Sequence, residues 1–206
     1  MVPAKANAQP ERVLDAALAC IARVGVAKTT LDDVAREAGC ARATVYRCFP
    51  GRDALLTAVL EREVARLAAQ VVAAADRAET LTDAIVAVVL AAGEPFRSHA
   101  ALGFVLAHEP EIVTAQLSFE RGSELLETAA AFAAPAFLRF LPADQAERLA
   151  EWVARLTLSY LCNPSEQVRL DDPAYVRALV ADYVLPGFTR NLDPLASTPA
   201  AGGFQL

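Results

Sequence analysis

The side chains best placed to do chemistry in this 206-residue sequence lie close together: Arg42, Ala43, Thr44, Tyr46 and Arg47, with Arg52 five residues on. Their chemistry is noncovalent recognition of a polyanion. A guanidinium can fork onto a base edge or a phosphate, while Thr and Tyr hydroxyls donate to phosphate oxygens. A small residue such as Ala43 lets a helix axis approach a groove floor.

Such residues need a scaffold that points them one way, and the stretch from Thr30 to Leu55 supplies one. Thr30 caps a helix, and Asp33 three residues on forms a capping box with Asp in place of the usual Glu. That helix ends at Gly39. A third helix spans about Arg42 to Phe49, closed by Pro50-Gly51, and a long fourth begins near Arg52. At about 100° per residue, Val45 and Phe49 share the core-facing side with Leu31 and Val34. Ala43 and Arg47 then turn away from the core, flanked by Thr44 and Tyr46. This is the face a helix-turn-helix presents to a major groove, and Arg42 falls in the first turn, where base contacts are made. Arg52 opens the fourth helix, where a cation opposes the helix dipole, so a phosphate explains its position better than helix stability does. Read singly, each arginine is an ordinary solvated charge. The conjunction of tight spacing, small outward residues and flanking cations points to DNA.

Charge distribution agrees. Residues 1–60 hold eight Lys/Arg against six Asp/Glu, a net +2 in a chain of net charge -6, so the remainder carries -8. A mildly basic end on an acidic body offers only that end to a polyanion. With 55% hydrophobic and 21% charged residues the chain can bury a substantial core, which excludes wholesale disorder. Met1 to Pro10 lacks the apolar core of a signal peptide, and the longest apolar stretch, Ala84 to Ala92, is too short to span a bilayer, so a cytoplasmic location is expected. Cys20, Cys40, Cys48 and Cys162 show neither a CxxC pair nor a disulfide framework.

The organisation reads as all-α: an N-terminal three-helix, helix-turn-helix DNA-binding domain followed by a C-terminal helical domain. Residues 1–9 are a loose arm, 10–55 the DNA-binding domain, 56–191 the helical body and 192–206 a frayed tail rich in Pro, Ala and Gly. Within the first domain a helix from about Pro10 to Val24 stops at Gly25. Farther on, Thr80 to Ala92 forms an apolar helix, Glu94-Pro95 starts another that reaches about His108, and Pro110 opens a segment to about Ala134. Leu149, Trp152, Val153, Leu156 and Tyr160 make a core-facing stripe on a helix from Ala143 to Leu161. The last helix, about Pro173 to Thr189, is expected to kink or shorten at Pro186.

The segment from Gly25 to Leu55 resembles the N-terminal domain of the tetracycline-repressor (TetR) family of bacterial transcription regulators. Gly25, Thr29-Thr30, Val34-Ala35, Ala38-Gly39, Tyr46, Phe49 and Leu55 carry the resemblance, which covers about 45 residues from Glu11 to Leu55. It implies groove contacts from Arg42, Ala43 and Thr44, and phosphate contacts from Thr30, Tyr46, Arg47 and Arg52. Three positions depart from the family: Ala41 replaces the usual Ser N-cap, Cys48 the usual His or Tyr, and Asp32-Asp33 place acid where a phosphate would approach. The resemblance also implies a homodimer through the last two helices, with two recognition helices roughly 34 Å apart on a palindromic operator. A small-molecule effector held in the body would release the DNA.

For that effector the body offers Phe96, Phe104, His108, Phe119, Trp152 and Tyr160 as candidate lining, each of which is otherwise plain core or surface. The apolar, Ala-rich composition favours a hydrophobic or amphipathic molecule. Arg97 and Arg121 are candidates to meet a ligand carboxylate, with surface ion pairing as the alternative. No metal or cofactor is implied: His99 and His108, nine residues apart on one helix, would fall on opposite faces. No Ser/His/Asp set, phosphate-binding loop or HExxH motif supports catalysis. Two alternatives to a ligand-responsive repressor stand: a redox-responsive DNA-binding regulator using Cys20, Cys40 or Cys48, and a helical carrier or enzyme with an incidental helix-turn-helix.

Overall fold

The computed structural model describes residues 8–112 and 122–190, and among them every regular element is helical. Helix α1 (Ala8–Lys28) leads into α2 (Leu31–Glu37), α3 (Arg42–Cys48) and the long α4 (Arg52–Ala75). The body then builds α5 (Leu81–Ser98), α6 (Ala100–His108), α7 (Gly122–Ala133), a 3-10 turn at Ala134–Ala136, and α8 (Ala143–Cys162). The chain closes with α9 (Pro173–Leu179), a π-helical turn at Val180–Val184 and α10 (Leu185–Arg190). No single helix among the described residues is long and apolar enough to cross a membrane.

Two apolar cores share α4. The first gathers Val13, Ala17, Cys20 and Ile21 of α1, Leu31, Val34 and Ala35 of α2, Val45 of α3, and Leu55 and Val59 from the start of α4. The second takes Val71 and Ala75 from the end of α4, together with Ile85, Val88 and Val89 of α5, Phe137 just after the 3-10 turn, Leu149 and Val153 of α8, and Val176, Val180 and Val184. A three-helix unit of this size has too little core of its own. Helix α6 supplies the shortfall: Ala101 and Val105, four residues apart on one face, are buried in the first core although they lie in the body by sequence.

Local chemistry moves three boundaries from where periodicity alone places them. Gly25 ends the helical run of α1 as expected, with φ 86° and ψ 170°, but one further turn then carries the chain to Lys28. Pro95 does not start a helix but lies inside α5, which runs on to Ser98. The Arg97 guanidinium folds back over Gly93 and donates to the Leu90 carbonyl (3.2 Å) and to Glu94 (2.9 Å). The break comes at His99, whose Nδ1 accepts the Leu102 N–H (3.1 Å) and caps α6. His99 and His108 therefore sit at the cap and the last residue of α6 rather than along one continuous helix. Pro186 does not shorten the last helix, which runs through it to Arg190; instead the turn before it is π-helical, and the Leu185 N–H reaches back to the Val180 carbonyl.

Asp83 joins the two ends of the body. It completes a capping box with Thr80 at the start of α5 and accepts from Arg177 of α9 at 2.6 Å. The Thr80 hydroxyl, then Arg177, hold its carboxyl below the ordinary 3.8. A depressed carboxyl stabilises the fold above its unfolded pKa, and that stabilisation is lost as pH falls through the folded value. Asp83→Asn should lower the melting temperature modestly at pH 7, and the gap from the parent should close as pH drops below about 3.8, as read by circular dichroism melts across pH.

Candidate nucleic-acid interface

Helix α3 is positioned from both sides. Val45, fully buried, anchors it against Val34 and Leu31, and half-buried Phe49 packs at its end. The turn entering it is closed by Gly39, whose φ of 62° is the left-handed geometry a glycine takes without strain, while the Cys40 N–H returns to the Ala35 carbonyl (3.0 Å). Arg12 of α1 donates to the Ala38 carbonyl (2.7 Å) and Arg23 pairs with Glu37 (3.1 Å), fixing the end of α2 on α1. With one side of α3 pinned, Arg42, Ala43, Tyr46 and Arg47 all face solvent and Thr44 is half-buried beside them. The structure thus brings these five onto one accessible surface.

Arg42 has neighbours in the free protein. Its guanidinium bridges Asp32 of α2 (3.0 Å) and the Tyr46 hydroxyl (3.1 Å), lying 5.3 Å from the Tyr46 ring centre. The hydrogen bond to Tyr46, and then Asp32, raise its affinity for the proton. Among the described residues Arg47 has no ion-pair partner. Asp33, the other acid at this end, bonds the Thr30 hydroxyl (2.6 Å) and Arg36 (2.9 Å), and both contacts hold its carboxyl below the usual range. Thr30 is the N-cap of α2, accepting the Asp33 N–H at 3.2 Å. Helix α3 begins at Ala41 without a side-chain cap, leaving its first amides for solvent or a phosphate.

If Arg42 contacts DNA, as the resemblance implies, Asp32 competes for its guanidinium. Asp32→Asn should raise DNA affinity about two- to fivefold, the scale of an exposed ion pair. Fluorescence anisotropy titration at several salt concentrations checks this; weaker binding instead would mean that Asp32 orients Arg42 productively.

Arg52 is not presented as a clamp. It turns inward and donates through Nε to the Thr29 carbonyl (3.0 Å) and through Nη2 to the Val26 and Ala27 carbonyls. These are end-of-helix acceptors on α1, so the cation that opposes the dipole of α4 serves the dipole of α1. That is the physical reason for its position, and a phosphate would have to compete with three carbonyls.

Helix α6 brings Glu109 to the same turn. Its carboxylate, only 8% exposed, accepts the Val26 N–H (2.6 Å) and the Ala27 N–H (2.9 Å). The sequence signal was an acid directly after the uncharged run from Ala100 to His108.

The candidate effector residues are not gathered. Trp152 and Tyr160 line a cavity between α5, α8 and α9, with Ile85, Val89, Leu156 and Val180, but its free volume is about 20 Å³. That is room for roughly one water molecule, so an effector must displace side chains to enter. Phe104 and His108 lie on α6 with ring centres 4.3 Å apart, and Phe96 is half-buried near the end of α5; none of the three lines that cavity. Phe119 and Arg121 lie outside the described residues. Burial pushes the thiols of Cys20 and Cys162 up, away from the reactive thiolate, so of the cysteines in the redox alternative Cys20 gives it no support.

Comparisons with known proteins place the chain in a family. A family profile described as "Bacterial regulatory proteins, tetR family" matches residues 13–59. An HTH-type transcriptional regulator of Mycobacterium tuberculosis, Rv1255c, is 33% identical over 183 residues, covering 85% of this chain and 83% of the relative. The chain belongs to the TetR family of transcriptional regulators. It regulates transcription through a DNA-binding helix-turn-helix, and TetR regulators act as dimers. Solved structures share the fold along most of the length. The TetR family repressor AlkX from Dietzia sp., implicated in biodegradation of n-alkanes, superposes with a TM-score of 0.64 at 21% identity, covering 88% of this chain and 95% of its own. The fatty acid degradation regulator FadR from Bacillus halodurans gives 0.54 at 14% identity, covering 84% and 98%.

Proposed function

We propose that this TetR regulator is a cytoplasmic repressor that sits as a homodimer on a palindromic operator and is released by a small hydrophobic or amphipathic effector. The observation that carries the DNA half is the single exposed face of α3: Arg42, Ala43, Tyr46 and Arg47 outward, Val45 fully buried behind them. Arg42, Ala43 and Thr44 enter the major groove, Tyr46 and Arg47 meet phosphates, and Thr30 meets one at the start of α2. Arg52 keeps its place at the end of α1 and supports the reading helix from behind.

Dimerisation through the last two helices is supported by an open groove of about 470 Å³ between α8 and α10. It is bordered by Arg148, Glu151, Trp152, Arg155 and Tyr183. Tyr183, on the π-helical turn, is 74% exposed, an aromatic in want of a partner surface. The proposed effector class is supported by the cavity walls, which are almost wholly aliphatic and aromatic, and is in keeping with neighbours of similar fold whose names refer to n-alkanes and to fatty acid degradation.

Selection of duplexes from a random library by the full chain, followed by titration of the winner with straight-chain alkanes and fatty acids, tests the whole reading. A palindromic consensus, two chains per duplex by sedimentation and release by an alkyl compound support it. A consensus without two-fold symmetry, or one chain per duplex, overturns the dimer. Failure to enrich any sequence overturns the operator.

A further inference from the structure

At Gly25 the backbone leaves helical geometry (φ 86°, ψ 170°), so the amides of the turn that follows have lost the carbonyls an unbroken α1 would supply. The turn Val26–Lys28 leads straight into Thr29, Thr30 and α2, and therefore sets where the helix-turn-helix starts. What holds it comes from the body. Glu109, at the end of α6, accepts both the Val26 and the Ala27 N–H, while Arg52 of α4 takes the carbonyls on the other side of the same turn. Gly25 is required for this approach, because a Cβ there would lie 2.6 Å from the Glu109 Oε1.

Helix α6 is built as a lever that ends in this carboxylate. Ala101, Val105 and Glu109 fall at steps of four along its buried face, against α1. Its first end is held by His99, whose Nε2 lies 3.5 Å from the Glu63 carboxylate of α4. The stacked Phe104 and His108 lie on an adjoining flank of the same helix.

We propose that Glu109 is the positioning residue through which the body sets the recognition helix. Its carboxylate restores the hydrogen bonding lost at Gly25, and the α1–α2 turn keeps the attitude that fits an operator only while α6 stays seated. Displacement of α6 withdraws the carboxylate, frees two amides and uncouples α3 from its partner half-site. This rests on the DNA-reading role of α3 given above, and adds the residue by which the two cores communicate.

The full-length chain with Glu109→Gln tests it, by hydrogen exchange across residues 22–48 and by operator titration. Loss of a charged acceptor is expected to speed exchange at Val26 and Ala27 about tenfold or more, and to spread into α2 and α3. The operator dissociation constant should rise by roughly the same factor, with the slope of log K against log salt unchanged, because the latch sets the population of the competent state and makes no phosphate contact. Glu109→Asp, which keeps the charge but shortens the reach, should show the same pattern and serves if the Gln variant fails to fold. Faster exchange confined to Val26 and Ala27 with operator affinity within twofold would reduce Glu109 to a local cap and overturn the proposal. So would unchanged exchange, or a shallower salt slope. If the parent chain binds no duplex, the reading of α3 fails by itself, while exchange in α2 and α3 still decides whether Glu109 couples the two units.

Discussion

Gly25→Ala should abolish operator binding and leave the N-terminal unit unfolding before the body. Two separate effects combine. The backbone at φ 86°, ψ 170° lies in a region that is essentially glycine's alone, and holding alanine there costs on the order of 1–3 kcal/mol. The new methyl would also meet the Glu109 carboxylate at 2.6–2.8 Å, and the atoms it meets are not free to swing away, since they hold the Val26 and Ala27 amides. Relief by moving Glu109 forfeits two charge-assisted hydrogen bonds, each worth about 1.5–3 kcal/mol. The sum is of the order of 4 kcal/mol or more, a large part of the stability of a unit this small. Calorimetry should resolve the consequence as a single transition in the parent and a new low-temperature shoulder in the variant. A variant that melts as the parent does and still binds operator would show that the break at Gly25 is incidental.

The helix-turn-helix was legible in the sequence because its determinants are local. A cap at Thr30, a left-handed glycine at Gly39, an apolar pair at Val45 and Phe49 and a Pro50-Gly51 stop each act within a few residues, and they alone turn Arg42, Ala43 and Arg47 outward. What was not legible depends on partners distant along the chain. Arg52 reads as a phosphate ligand because the acceptors that explain it, at Val26, Ala27 and Thr29, lie more than twenty residues earlier. Glu109 reads as one more acid because its partners lie 82 and 83 residues away. Pro95 reads as a helix start because nothing in its spacing reveals that Arg97 folds back over Gly93. The six aromatic and imidazole candidates share a composition, but composition does not specify a cavity. Of the five that the structure describes, packing put only Trp152 and Tyr160 at the one between α5, α8 and α9.

Replacing Arg42 and Arg47 together by alanine should cost far more in DNA binding than in stability. Both side chains are exposed, and neither carries any of the packing that Val45 provides, so the melting temperature should move by no more than a degree or two. On the proposed reading of α3 the two arginines are expected to do different work on DNA. Arg42, in the first turn of an uncapped helix, leaves Asp32 to read a base edge, whereas Arg47, without an ion-pair partner among the described residues, meets a phosphate with nothing to surrender. Loss of a base-reading arginine relaxes the sequence preference at one position and weakens binding about ten- to a hundredfold. Loss of a phosphate-binding arginine weakens binding to all sequences alike and lowers the salt slope by about one per contact. In a two-fold symmetric complex each loss occurs twice, so the double variant should fall to the affinity of nonspecific binding. Single variants titrated against the selected operator and a scrambled duplex, each over a range of salt, separate the two roles. If Arg42→Ala lowers both affinities equally and Arg47→Ala alone erases the preference, the roles are exchanged, and α3 enters the groove rotated by about one residue from the orientation that Val45 sets.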